Sequence, residues 1–224
     1  WNLVAHLLLI LDDKINKLLA STNGKKKKHI DGGKGRDANF AGGPKSKECS
    51  LFVVEGDSAK NYAYIAQGMI PNGPDIIGVM PLQGKPLNVL KALASDPMKI
   101  KNNREITELK KYLGLEEGLD YTEQRNFNKL RYGSLNILAD ADEDGTHIKG
   151  LVMLFFKCFY PSLLKLGYVL FFRTPIVQII GNNLSFYTEA EYRLWLDQTE
   201  NPEQYGYPKW YKGLGSSTKV DIKN

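Results

Sequence analysis

Ser50-Leu51-Phe52-Val53-Val54-Glu55-Gly56-Asp57-Ser58-Ala59-Lys60 is the stretch on which the fold of this chain turns. Ser50 to Val54 is a short, unbroken apolar run, the pattern of a strand buried on both faces in a parallel sheet. It runs directly into an acid and a glycine, after which Ala59 to Gln67 has the composition of a helix. Further along, Ile76 to Met80 reads as a second buried strand stopped by Pro81, and residues 87–113 are charged and helical in character. Leu135 to Ala139 reads as a third strand, Thr146 to Leu166 as a long helix, and Tyr168 to Thr174 as a fourth strand. Strands alternating with helices at this spacing predict an α/β layer built on a parallel sheet. Beyond Pro175, Ile176 to Ile180 and Leu184 to Tyr187 flank Gly181-Asn182-Asn183 as a hairpin, and Thr188-Glu189-Ala190-Glu191 opens a helix through about Gln198 with a capping box.

Working back toward the start, residues 2–20 read as an amphipathic helix ending near Ser21, before the Asn23-Gly24 turn. Residues 21–48 are rich in Gly, Lys and Asp and read as a linker or long loop. Three parts result: 1–48, a helix plus a basic linker; 49–174, the α/β domain; and 175–224, a small α+β extension of hairpin and helix. No internal repeat is visible. The polar Lys219 to Asn224 finish and the start at Trp1 suit a piece of something longer.

With 224 residues, 42% of them hydrophobic and 25% charged, the chain can bury a sizeable core and does not have the composition of a disordered one. No stretch reaches the roughly eighteen apolar residues of a membrane span. The first residues lack a basic region and a cleavage site, so neither a secreted nor a membrane class is expected. Cys49 and Cys158 match no disulfide or zinc pattern and read as reduced thiols. The charge is uneven: residues 1–48 hold ten Lys and Arg against five Asp and Glu, whereas the remainder is balanced. Much of the excess is Lys25-Lys26-Lys27-Lys28-His29, which suits a phosphate backbone and equally suits a solvated loop.

In an open parallel sheet, ligands gather beyond the carboxyl ends of the strands. Two such ends carry acids: Glu55, and Asp140-Ala141-Asp142-Glu143-Asp144-Gly145. Four acids in five positions repel one another unless paired, and a divalent cation is the simplest remedy. Hard oxygen donors select magnesium, manganese or calcium. An EF-hand is the obvious rival for D-x-D-x-D-G, but its twelfth position here is Leu151 rather than Glu, and a strand rather than a helix precedes it. Capping of the following helix would need one Asp, not three. A metal held by Glu55 and the aspartates suits phosphoryl transfer, with Glu55 either a ligand or a general acid/base.

Glu55-Gly56-Asp57-Ser58-Ala59-Lys60, followed some eighty residues on by the Asp140, Asp142, Asp144, Gly145 pattern, resembles the Toprim fold. Topoisomerases, bacterial-type primases and some nucleases share that fold. Met80-Pro81-Leu82-Gln83-Gly84-Lys85-Pro86-Leu87-Asn88-Val89 is similar to a P-L-R-G-K-x-L-N-V segment of type II topoisomerases. Asp37 to Gly43, Leu130-Arg131-Tyr132-Gly133 and Trp210-Tyr211-Lys212-Gly213-Leu214-Gly215 resemble eukaryotic-type members. The likeness covers roughly residues 30–220. It implies a Rossmann-like Toprim sheet flanked by helices, and cleavage and resealing of both strands of duplex DNA. Glu55 is then a metal ligand and general acid/base, Asp140 and Asp142 bind Mg2+, and Asp144 supports them or meets a second ion. Mn2+ or Ca2+ can substitute. Lys85 and Asn88 are implied as contacts to the cleaved duplex, with Lys212 a weaker candidate that also reads as a turn lysine. The resemblance further implies a homodimer of the full protein, located in the nucleus of a eukaryote or in the cytoplasm of a bacterium or a virus-infected cell.

The pattern also departs from the family. Gln83 replaces the usual arginine, Pro86 stiffens the loop after Lys85, and Ala141 and Glu143 are closer to bacterial members. The family's nucleophilic tyrosine follows an arginine in a downstream winged-helix domain; Arg131-Tyr132 has the dipeptide in the wrong place. Asp31-Gly32-Gly33-Lys34-Gly35 lacks the strand-to-helix setting of a P-loop, so ATP is expected to bind only in a domain outside this chain. A Toprim primase or nuclease, and a DNA-binding module without catalysis, are the competing readings.

Overall fold

The computed structural model describes residues 2–28, 30, 35–140, 142–182 and 184–211. Strands β1 (Ser50–Glu55), β2 (Ile77–Leu82), β3 (Ser134–Leu138) and β4 (Val169–Phe171) form one parallel sheet in the order β2-β1-β3-β4. The unbroken apolar runs are explained by cores on both faces. Leu51 and Val53 of β1, with Leu135 and Ile137 of β3, face the larger core; Val54 and Leu138 face a second one. That second core is closed by Ala59, Tyr62 and Ala63 of α2 (Gly56–Met69). Between α2 and β2 lies the short helix α3 (Gly73–Ile76). Alternation along a strand thus buries both sets of side chains.

Several boundaries differ from expectation for local reasons. β2 continues through Pro81 to Leu82, because β2 is the edge of this sheet and a proline's missing N–H is tolerated there. The charged stretch 87–113 is three helices, α4 (Val89–Ser95), α5 (Met98–Lys101) and α6 (Arg104–Leu113), broken at Pro97 and at Asn103, whose side chain caps α6. After the short α7 (Gln124–Phe127), the long helix is α8 (Glu143–Phe159) and α9 (Pro161–Lys165), separated at Tyr160 because the residue before a proline avoids helical backbone.

The helix at the start, α1 (Asn2–Leu19), ends where expected, and Leu19 is buried in the larger core while Leu9 and Leu11 remain exposed. The extension is a three-stranded antiparallel sheet, β6 (Leu184–Phe186), β5 (Val177–Ile180) and β7 (Tyr207–Trp210), with α10 (Glu189–Gln198) packed on it. Thr188 and Glu191 form the expected capping box. β7 was not foreseen, since Tyr207-Pro208-Lys209-Trp210 has neither alternation nor a clean apolar run.

Two of the segments that carry the family likeness lock together inside the protein. The Arg131 guanidinium, fully buried, pairs with the Asp37 carboxylate and donates to the carbonyls of Lys27 at 2.7 Å and Tyr112 at 2.9 Å. The Tyr132 hydroxyl donates to Asp37 and accepts from the Ala38 N–H at 3.0 Å. Burial, and then the Asp37 charge, push the Tyr132 phenol far above its ordinary pKa. This tyrosine is a structural hydrogen-bond donor, not a nucleophile. Among the described residues, no helix is long and apolar enough to cross a membrane.

Candidate metal centre

The strand order brings the chemistry together. The chain leaves β1 for β2 on one side and later returns to β3 on the other, so the crevice beyond β1 is a point where the connections diverge. Glu55 ends β1 and is paired in register with Leu82, the last residue of β2, while Val54 is paired with Leu138, the last of β3. Three loops therefore start side by side: Glu55 leading into α2, Gln83-Gly84-Lys85 after β2, and Asp140 to Asp144 after β3. Residues up to ninety positions apart in sequence share one rim for this reason.

Within that rim, Asp142 is the N-cap of α8, its Oδ1 accepting from the Gly145 N–H at 2.8 Å. Gly145 has to be a glycine: a Cβ there would lie 2.1 Å from the Asp140 carbonyl oxygen. The glycine closing the acidic motif thus lets the first turn of α8 press against the strand end that carries Asp140. Lys85 reaches across from the β2 loop and binds Asp144, Nζ to Oδ1 at 2.7 Å. That hydrogen bond holds the Asp144 carboxyl below its usual pKa and the Lys85 ammonium above its own.

Glu55 is in the opposite situation. Partial burial raises its pKa, and the charges of Asp140, Asp142 and Asp144 raise it further, against a smaller opposing pull from Lys85. A raised carboxyl pKa is a shift in the direction that favours general acid/base work. Four carboxylates with no sulfur or imidazole among them fit a hard divalent cation by donor chemistry, and their mutual repulsion is what such an ion would relieve. They do not form a finished cage: among the described residues, no three acidic, His or Cys side chains are gathered closely enough to hold an ion together. Two of the acids are engaged elsewhere, Asp144 by Lys85 and Asp142 by the start of α8.

The other sequence candidates separate. Asn88 is exposed and caps α4, its Oδ1 accepting from the Lys91 N–H at 3.0 Å. Gln83 holds its loop through the backbone, its N–H donating to Glu105 Oε1 at 2.5 Å. Lys212, with Gly213 to Gly215, lies outside the described residues, as do Ala141 and Asp31 to Lys34. One rim residue escaped the reading of the sequence. Lys149, seven positions after Asp142 and hence on the same face of α8, donates to the Asp140 carbonyl at 3.3 Å. Burial lowers the Lys149 pKa, opposed by Asp140 and Asp142. Its signal was the helical spacing from the acidic motif, hidden because a lone lysine on a helix is ordinarily solvated.

Comparison with known proteins follows the same outline. Residues 172–224 match the family described as the C-terminal associated domain of TOPRIM. The chain is 43% identical over 220 residues to a DNA topoisomerase 2 of Pisum sativum, covering 96% of this chain and 14% of that protein. It is 42% identical over 208 residues to a DNA topoisomerase 2 of Drosophila melanogaster, covering 92% of this chain and again 14% of the relative. The crystal structure of the Plasmodium falciparum topoisomerase II DNA-binding, cleavage and re-ligation domain superposes with a TM-score of 0.76 at 38% identity, over 88% of this chain and 26% of that one. The chain thus spans about a seventh of the length of the curated relatives it matches.

Proposed function

Since this chain belongs, as a Toprim-bearing segment, to the type II DNA topoisomerase family, we propose that it supplies the metal-binding half of a site that cuts and reseals duplex DNA. The observation that carries the reading is the rim itself: Glu55, its pKa raised, set against three aspartates and the lysines Lys85 and Lys149 at the divergence point of the sheet. Asp140 and Asp142 would hold Mg2+, with Glu55 a ligand in its ionised form and a general acid/base when it carries the proton, and Asp144 in support or at a second ion; Mn2+ or Ca2+ could take its place. When bound, the ion neutralises phosphate charge and stabilises an attacking or leaving oxygen.

The residues of this chain do the rest. Lys85 approaches the phosphate backbone as it lets go of Asp144, and exposed Asn88, on the same loop-to-helix turn, fixes that backbone beside it. In cleavage, a hydroxyl from outside the described residues gives its proton to water or to a base outside them and attacks phosphorus, the 3′ oxygen leaves, and Glu55 delivers the proton that the leaving oxygen takes up. One phosphodiester replaces another, so the bond energy is kept for resealing, where Glu55 takes the proton back. Buried Tyr121, Tyr160 and Tyr168, like Tyr132, have phenol pKa values raised by desolvation and have no part in this. Lys212 is a further duplex contact. ATP binds in a part of the protein outside this chain, and the full protein acts as a homodimer on double-stranded DNA.

The test is covalent trapping with the parent protein on an end-labelled duplex. With Mg2+, rapid denaturation should leave protein joined to the 5′ ends of a double-strand break, and prior chelation should prevent it. Asp142→Asn keeps the oxygen that caps α8 and removes the charge, so trapping should fall by more than about a hundredfold while duplex binding persists. Cleavage at the wild-type level in that variant would remove Asp142 from the metal site.

A further inference from the structure

A cationic feature of the molecule shares no residue with the carboxylate rim. Asn23, Lys25, Lys27, Ile30 and Lys111 line an open cleft of about 280 Å³. Three of its five lining residues are lysines and none is acidic. The acids of the nearby 115–118 loop are already taken: Glu117 by buried Lys110 at 2.7 Å and Glu116 by Lys129 at 3.3 Å. Among the described residues, the cleft lysines share a concave surface with no carboxylate in its lining, which concentrates positive potential.

This cleft is built on fixed backbone. The Gly24 N–H donates to the Leu115 carbonyl at 2.7 Å, and a Cβ on Gly24 would lie 2.1 Å from the Lys110 carbonyl oxygen, so the chain lies directly against the end of α6. Asn23 Oδ1 accepts from the Glu117 N–H at 3.0 Å, and the Lys27 carbonyl accepts from buried Arg131. Lys26 turns to the body, donating to the Asn128 carbonyl at 2.7 Å, while its neighbours Lys25 and Lys27 line the cleft with Lys111 of α6. The basic run is thus not uniformly solvated: its alternate members have separate tasks.

We propose that this cleft is a phosphate-binding site, occupied by the backbone of a duplex at a position away from the carboxylate rim. Three compact ammonium groups suit phosphate oxygens, take point charges without reading sequence, and present no base-reading donor fork. The same chemistry would accept a free polyphosphate, and the test separates the two sources. It needs neither metal nor cleavage, so it stands or falls independently of the rim.

The experiment measures binding of a fluorescent 24-base-pair duplex to the chain in EDTA across a range of salt concentrations. Wild type is compared with Lys27→Gln/Lys111→Gln and with a control, Lys99→Gln/Lys165→Gln, at exposed lysines outside the cleft. Neither cleft side chain holds the fold, since Lys27 is anchored through its carbonyl. If each cleft lysine neutralises one phosphate, the salt slope shrinks by about 0.9 per lysine, so affinity near physiological salt falls on the order of tenfold, with the control unchanged. Competition by inorganic tripolyphosphate gives the second arm. Loss of tripolyphosphate binding with unaltered duplex affinity would assign the cleft to a free phosphate and overturn the duplex assignment. Unaltered binding of both, or an equal loss in the control, would overturn the site altogether.

Discussion

The Arg131–Asp37–Tyr132 cluster and the Glu55–Asp140–Asp142–Asp144 rim use the same kinds of side chain under different constraints. In the cluster, one guanidinium meets one carboxylate, the hydroxyl and two carbonyls complete the set, and the guanidinium is fully buried. On the rim, several acids share a crevice with Lys149 and with exposed Lys85, which binds one of them, and burial and the neighbouring charges raise the Glu55 pKa. The cluster is satisfied within the chain and serves the fold. The rim keeps its acids crowded at one crevice, and under the proposed function a divalent cation from outside relieves that crowding. Local inconsistency of that sort is where function is expected in an otherwise consistent fold.

The difference can be broken from either side. The larger effect on stability belongs to the cluster. Arg131→Met should cost at least about 3 kcal/mol, because it strands the Asp37 carboxylate in a partly buried site and leaves two carbonyls without a donor. Thermal unfolding should register this as a drop of roughly 6–12 °C for a chain of this size. A drop of a degree or less would mean that the cluster is not the lock described.

The smaller effect sharpens the contrast, because removing the charge of Glu55 should not destabilise the fold. The folded state raises the Glu55 pKa. Below the ordinary glutamate range, both folded and unfolded chains carry the proton and Glu55 costs nothing. As pH rises from that range through the raised folded value, the unfolded chain releases its proton first and the folded state loses stability. Glu55→Gln cannot ionise, so in EDTA it should unfold at a higher temperature than wild type at pH 7 and at nearly the same temperature below the glutamate range. The gain should stay below about 1 kcal/mol, since solvent screens this half-open site. A variant less stable than wild type at pH 7 would show that Glu55 supports the fold rather than straining it.

Much of this was legible in the sequence, for reasons tied to particular residues. The run Ser50 to Val54 suits a strand covered on both faces, and β1 lies inside such a sheet. The grouping of Glu55 with the aspartates followed from acids at two strand ends, and strand order supplies the adjacency. What stayed hidden depends on three-dimensional neighbours. Pro81 could not reveal that β2 is an edge strand. Tyr160-Pro161 looked continuous with α8 because its apolar residues keep helical spacing across the break. That Lys85 pairs with Asp144 requires the β2 loop to fold over β1, which spacing alone does not state. Nor could composition show that Lys26 turns to the body while Lys25 and Lys27 line a cleft, since the distinction is made by Gly24 and Arg131 holding the backbone.

The central claim, that the rim is completed by a hard cation and the buried cluster is not, is tested most directly by paramagnetic broadening. Substoichiometric Mn2+ added to the 15N-labelled chain should erase the amide signals of Gly56, Gly84 and Gly145, leave those of Gly42 and Tyr132 unchanged, and leave all five in place in Asp142→Asn. Broadening that spares the rim, or that persists there in Asp142→Asn, would contradict the claim.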